Sequence, residues 1–408
     1  MRAAIHCTWG DTTLFLSLSK AAAIRRILTL LPITALAAAA CAPQTHGWGG
    51  VAAGSTNTLY LVGGNQKIMA MNPTARARGD TFPADGEWAY PPENDRHAGT
   101  SFAAPVVANG TVYSSIYELG GTTGQPGAVI ALDAANGQQR WRFQLPSASS
   151  DVIGPPVVVS NTVYLSSSDY TVYALDANTG AVRWQFRTGN KVWAGVTVDE
   201  AGIAYIASLD HRLYAVDAAT GAEKWRFETG GAIAQTPAYK DGKLYFGSAD
   251  GNLYSIDVRA RAGNAAFPSN GEWALASSSW FWATPLIANA TAYVTEVDGG
   301  VRAVDASTGK EKWATAIGTR DAGVSATPVL AGAVLAIPAQ DGKIYALDPT
   351  TGAEKWRYAT DPTGPIYSTL STDGTVLYAY SMNQRILSIE VATGRALWTC
   401  RTEQPCKG

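Results

Sequence analysis

The residues of this chain best equipped for chemistry are three tryptophans, Trp193, Trp280 and Trp282, together with His97, Arg320 and Asp321. An aromatic face beside a charge makes a platform for a peptide or a sugar; the alternative is that these rings are core residues plugging a cavity. Cys400 and Cys406 have five residues between them. They either close a disulfide, whose short loop would restrict the unfolded chain by about 2 kcal/mol, or stay as two free thiols. No Gly-x-Ser-x-Gly elbow, His-Glu-x-x-His pair, Walker-type phosphate loop or Cys-x-x-Cys occurs, and the four histidines are few for a metal enzyme. A binding role is the default, with no metal expected.

What must position such a platform is a repeat. Eight times a tryptophan closes a segment reading roughly Ala-x-Asp-x-x-Thr-Gly-x-x-x-Trp, at Trp88, Trp141, Trp184, Trp225, Trp273, Trp313, Trp356 and Trp398. Successive spacings are 53, 43, 41, 48, 40, 43 and 42 residues, and a period of about 44 is that of a four-stranded propeller blade. The motif is clearest from Tyr214 to Trp225 and from Tyr345 to Trp356, and the last copy has Glu390 in the Asp place. Copies one and five deviate, because Asn72 and Asp257 are followed by insertions.

Each part of the motif has a local cause. Tyr-Ala-Leu-Asp is a short strand suited to burial on both faces. The Asp carboxylate folds onto nearby backbone N–H groups, and Thr-Gly finishes a tight turn in which Gly takes positive φ. Pairs such as Asp250-Gly251 and Asp341-Gly342 mark a second hairpin upstream. Two hairpins per repeat give four strands, so the expected fold is all-β, an eight-bladed β-propeller over residues 48–401. One large flat residue per copy is the expected wedge between blades, with the motif Ala as the floor under the neighbouring Trp.

The motif resembles the tryptophan-docking repeat of the pyrroloquinoline-quinone type, known from quinoprotein alcohol dehydrogenases and from BamB-type lipoproteins of outer-membrane protein assembly. The dehydrogenases hold the quinone and Ca²⁺ at the axis, with an adjacent-cysteine disulfide on the cofactor. This chain has no neighbouring cysteines and lacks long inter-blade insertions, so neither pyrroloquinoline quinone nor Ca²⁺ is expected and no catalytic residue is assigned. In such a propeller the segments entering each innermost strand rim one mouth of the channel. By register these are Arg96-His97, Asp151, Lys191 to Trp193, Trp280 to Trp282, Arg320-Asp321 and Tyr367.

The N-terminus carries Lys20, Arg25 and Arg26, then an apolar run from Ile27 to Ala40, then Cys41. That is the order of a cleaved signal over residues 1–40, and a run of 14 residues is short for a membrane span. Residues 1–18 are unusual for a signal and fit a start codon placed too far upstream. Small residues before Cys41 resemble a lipobox, which implies lipid attachment at Cys41, a tether over 41–47 and, with Ala42 next, an outer-membrane, periplasm-facing address. A plain cleaved signal or an uncleaved anchor are the alternatives. Residues 402–408 form a tail. With 31 basic and 33 acidic residues and a net charge of −2, the chain offers nothing to nucleic acid and meets a membrane through the lipid alone.

Two insertions match each other. Arg76-Ala-Arg78 through Phe82-Pro83 to Glu87-Trp88 parallels Arg259-Ala-Arg261 through Phe267-Pro268 to Glu272-Trp273. Four repeats apart, they should sit on opposite sides of the ring, as a pair of gripping loops or as inherited decoration. The combined expectation is an envelope lipoprotein acting as a non-catalytic protein-binding scaffold with partners in the β-barrel assembly machinery. Its mechanism would be docking on a rigid circular surface, with unfolded substrates guided by strand pairing at blade edges. The alternatives are a quinoprotein dehydrogenase and a carbohydrate- or ligand-binding sensory propeller.

Overall fold

The computed structural model describes residues 8–9, 12–13, 50–54, 57–63, 66–92, 101, 103–117, 126–147, 150–263, 265–269, 271–318, 323–360 and 364–401. The chain divides into two units, Met1–Thr45 and His46–Gly408. Of the first, one short antiparallel pair is described, Thr8–Trp9 with Thr12–Thr13.

Among the described residues of the second unit are eight four-stranded antiparallel sheets, each built from consecutive strands. The expected eight-bladed propeller is therefore the fold. Blade one runs Val51–Ala53, Leu59–Val62, Ile68–Met71 and Trp88–Tyr90. Blade three, the most regular, runs Val157–Val159, Thr162–Ser166, Thr171–Asp176 and Val182–Arg187. Blade eight ends the ring with Ser371–Thr372, Val376–Ser381, Arg385–Glu390 and Ala396–Arg401. Among the described residues no strand is exchanged between blades one and eight. Their first strands meet side by side, and the Ala53 amide donates to Ser371 Oγ at 3.0 Å.

The strand sequences follow this geometry. The two middle strands of each blade are flanked by sheets on both faces, so Thr171–Asp176 is buried at five consecutive positions. The outer strand faces water on one side, so Val182–Arg187 alternates, with Trp184 and Phe186 turned inward between exposed polar residues. Between blades the packing is one continuous apolar layer per interface, such as Trp184 with Val192, Val196, Ala204, Ile206 and Tyr214.

The wedge has a specific seat. In six of the eight copies the indole Nε1–H donates to the carbonyl of the residue after the motif Asp, or after Glu390 in the last copy, in the next copy: Trp88 to Ala134, Trp141 to Ala177, Trp184 to Ala218, Trp273 to Ala306, Trp313 to Pro349 and Trp356 to Val391, at 2.9–3.2 Å. The floor under the ring differs from expectation. It is the motif glycine of the next blade, where a methyl group on Gly221 would stand 2.8 Å from the Trp184 ring and one on Gly137 would stand 2.6 Å from Trp88. The motif Ala instead lies opposite its own Trp on the neighbouring strand, as in Ala174 with Trp184 and Ala215 with Trp225. Gly suits the seat for two reasons: it has no Cβ to strike the ring, and its φ is near +70° in each turn.

In copies one and five the insertions take over the seat. Asn72 caps helix α1 (Pro73–Arg78), and Asp257 caps helix α2 (Val258–Ala262), each through its side chain to two backbone amides. Helix α1 packs on the outer strand of blade eight and α2 on that of blade four. There Trp225 clusters with Phe227, Val258 and Phe267, while Trp398 clusters with Phe82 and Met71. The two insertions share one internal design. Arg76 pairs with Glu87 and Arg261 with Glu272, both at 2.8 Å and both out of solvent. Each glutamate also receives two backbone amides, from Asn72 and Ala84 in one case and from Asp257 and Ser269 in the other. Such loops are braced against their neighbours, which fits a seat for the wedge better than a gripping arm.

Candidate binding mouth

In blades three to eight the entry segments are aligned by an equivalent backbone hydrogen bond. The carbonyls of Asp151, Lys191, Ala232, Trp280, Gly323 and Pro365 accept from Ser168, Leu209, Ala249, Val297, Gln340 and Met382, at 2.9–3.0 Å. All six donors lie in the hairpins between second and third strands, so these segments lie at one end of the axis. Two residues further on, the register places Ile153, Trp193, Ala234, Trp282, Ser325 and Tyr367 at one level.

That level contains an aromatic contact between non-adjacent blades. Trp193 enters blade four and Trp282 enters blade six, yet their rings lie 6.3 Å apart, tilted by 49°. Ala234, the equivalent residue of the blade between them, is small enough to let them meet. Both rings are half-buried. Trp280 belongs to the level of Asp151 and Lys191, and the Phe281 beside it is buried in the apolar layer with Tyr245, Trp273 and Val294.

The charged residues of the mouth are perturbed in the sense that desolvation dictates. Burial pushes the Asp151 carboxyl up to about 7, against the opposing pull of Lys191. Burial lowers the Lys191 ammonium, with Asp151 acting the other way. Tyr117 is raised by burial and then by Asp151, and Tyr367 by burial. A carboxyl that holds its proton near neutrality offers both a donor and an acceptor in the mouth.

The motif acids have other work. Asp176 accepts amides from Asn178 and Thr179 and pairs with Arg183 at 2.6 Å, and it is held down to about 2, chiefly by that arginine. Asp133, Asp217, Asp305 and Asp348 repeat the pairing with Arg140, Lys224, Lys312 and Lys355. A second set of acids, Asp169, Asp210, Asp250 and Asp341, receives tyrosine hydroxyls from Tyr173, Tyr214, Tyr254 and Tyr345 at 2.6–2.8 Å. Both sets brace turns. Among the described residues no group of three or more His, Cys, Asp or Glu side chains is arranged to hold a metal ion.

A family model described as outer membrane protein assembly factor BamB matches residues 88–192, 171–267 and 268–406. The chain belongs to this family. Among solved structures, BamB from Moraxella catarrhalis superposes with a TM-score of 0.61 at 22% identity, covering 81% of this chain and 90% of that one. The computationally designed Ika8 protein gives 0.60 at 15% identity, over 74% and 88%. The quinohemoprotein alcohol dehydrogenase ADHIIG from Pseudomonas putida HK5 gives 0.55 at 16% identity, over 74% and 66%. These likenesses carry the fold. Among curated proteins, the serine/threonine-protein kinase AfsK of Streptomyces griseus is 34% identical over 104 residues, 25% of this chain, and the chain spans 12% of that protein.

Within this BamB-family ring the expected platform residues separate. Trp193 and Trp282 come together, and Trp280 stands one level away. His97, Arg320 and Asp321 lie outside the described residues, as do the lipid-attachment candidate Cys41 and the proposed disulfide partner Cys406. Cys400 is buried on the outer strand of blade eight and is disulfide-bonded. Its partner is outside the described residues. Ser325 was missed by reading for aromatics and charges; aligning all entry segments on the proline that follows most of them finds it at the level of Trp193.

Proposed function

We propose that this chain is an envelope lipoprotein that serves as a non-catalytic scaffold in the assembly of outer-membrane β-barrel proteins. The observation that carries this reading is the match of the BamB family model to three successive segments between residues 88 and 406. The signal-like run ending at Cys41 supports the address, and the closed ring with rigidly seated wedges supports a docking role, because a stiff surface loses little entropy on binding.

The blade edges limit how such a scaffold acts. The outer strands of six blades carry charged residues, as in Arg183 and Arg187 of blade three or Glu223, Lys224 and Arg226 of blade four, whereas Trp88–Tyr90 of blade one and Trp273–Ala276 of blade five carry none. Charged edges oppose strand addition. Guidance of unfolded chains by edge pairing is therefore disfavoured at those six edges, and docking falls to the faces, the mouth and the two uncharged edges.

The test is crosslinking and affinity capture of the full chain from its native envelope, with Cys41→Ser as the unanchored control. Recovery of a β-barrel insertase with accessory lipoproteins is expected from the anchored form. Capture of neither from an envelope that contains them would remove the scaffold reading.

A further inference from the structure

One outer edge of the ring lacks the devices that discourage a further strand. In the last strand of a blade, alternate residues turn their N–H and C=O groups away from the sheet. In blade five the Ser277 amide donates to the Gly251 carbonyl at 2.8 Å, and the register pairs Leu253 with Leu275 and Ser255 with Trp273. The outward groups are therefore those of Ala274 and Ala276. Among the described residues the sheet ends at this strand, and both alanines are exposed. The edge thus offers main-chain donors and acceptors at strand spacing, beside side chains too small to obstruct them.

Elsewhere the same edge is guarded. The residue before the wedge is Arg140, Arg183, Lys224, Lys312 or Lys355 in five blades, each paired with its motif Asp. Blade eight carries Arg401 and has α1 packed on its outer strand. In blades one and five the residue in that place is Glu87 or Glu272, and its charge is withdrawn into the buried pair with Arg76 or Arg261. Blade one is still blocked: its outer strand is Trp88–Tyr90, and the next outward position after Ala89 is Pro91, which has no N–H to donate.

The groups on the blade-five edge specify their occupant. Unpaired main-chain N–H and C=O groups in a row match another extended backbone. An added strand would set alternate side chains beside Trp273 and Leu275, which pack in the apolar layer with Ile287 and Val294 of blade six, and the others beside Ala274 and Ala276, in water. The segment that fits has apolar residues at every second position and polar residues between them. A second copy of the ring fits poorly, because two convex rims would meet along one four-residue strand. That is about 14 Å of contact, far short of the roughly 800 Å² per partner of a stable interface. We propose that the outer edge of blade five, Trp273–Ala276, binds an extended peptide segment of alternating apolar and polar residues by strand addition, through the N–H and C=O groups of Ala274 and Ala276. The proposal needs only the ring, so it can fail while the scaffold role stands, and the reverse.

The experiment titrates the full chain into the fluorescein-labelled peptide Lys-Thr-Val-Thr-Val-Thr-Lys and follows anisotropy. A Kd below about 1 mM is expected. Ala274→Arg installs the residue that blades two, four and seven carry after their wedges, as Arg142, Arg226 and Arg357, and should weaken binding at least about tenfold. Methylating the amide nitrogen of the central threonine, which would face the edge, should do the same. Ala89→Arg in blade one should leave the Kd within about twofold. Thermal melts of both variants establish that they fold. No binding up to about 1 mM, an unchanged Kd in Ala274→Arg, equal binding of the methylated peptide, or equal weakening by Ala89→Arg would each overturn the proposal.

Discussion

A methyl group at Gly221 tests how the ring is held. Gly221 has φ +74°, and a Cβ there would meet Trp184 Cδ2 and Cε3 at 2.8 Å. Gly202, also in blade four, has φ +77° with nothing within 4 Å of the same methyl group. Gly202→Ala therefore carries only the cost of a left-handed backbone, about 1 kcal/mol. Gly221→Ala carries that cost and also displaces the wedge. Ordinary carbon contact requires the ring to retreat by roughly 0.7 Å, against an interface that is already close-packed and a hydrogen bond from Trp184 to Ala218 of 2.9 Å. Overpacking adds about 1–3 kcal/mol and the weakened bond about 1. The expected loss is about 3–5 kcal/mol for Gly221→Ala against about 1 for Gly202→Ala.

The assay is equilibrium urea unfolding of both variants, compared at a common slope so that midpoint shifts report stability. The Trp184→Ala background completes the cycle, because with the ring gone the Gly221→Ala cost should fall to that of Gly202→Ala. Equal destabilisation by the two glycine substitutions, or an unchanged Gly221→Ala cost without Trp184, would refute the assignment of glycine as the floor.

Three further outcomes follow from the same geometry. Glu272→Ala leaves the Arg261 guanidinium buried without its carboxylate and strands the amides of Asp257 and Ser269, so it should destabilise by about 3–5 kcal/mol, and Glu87→Ala should match it in thermal melts. The folded Asp151 carboxyl is raised to about 7, so the native state binds more protons than the unfolded chain, and stability should fall as pH rises from about 4 through about 7. Asp151→Asn should flatten that part of the profile in pH-dependent unfolding, and an unchanged slope would contradict the raised carboxyl. Since blades one and eight are each built from one contiguous segment, a circular permutant with new ends between blades four and five should retain the far-ultraviolet spectrum and cooperative melt of the parent.

The fold was legible because its determinants recur. Asp, Thr, Gly and Trp at fixed offsets reveal the turn and the wedge, and the two departures at Asn72 and Asp257 were visible as departures. What the repeat did not disclose was which residue touches which across blades. Ala174 and Gly180 are both small and both precede Trp184, and only the antiparallel register places Ala174 beside its own Trp and Gly180 beneath Trp141. The insertions were read, from their matched sequences four repeats apart, as a pair of gripping loops or as inherited decoration. Burial of Arg76 and Arg261 depends on glutamates 11 residues downstream, a pairing that composition alone does not signal.

The mouth was harder to read for the opposite reason. Its level of entry residues, Ile153, Trp193, Ala234, Trp282, Ser325 and Tyr367, is the place where the copies share least, although their backbones are held by the same hydrogen bond. A repeat that needs only a carbonyl at one position leaves the side chain two residues later free to vary. Seats for the wedges, by contrast, admit glycine or a whole inserted helix and little else. The ring thus separates two tasks between its ends: one end holds the motif turns and keeps blades together by uniform chemistry, and the other collects unlike side chains around the axis. Uniform chemistry makes the wedge seats the place to test stability, at Gly221 and Glu272, and varied side chains make the level of Trp193 and Trp282 the place to test recognition.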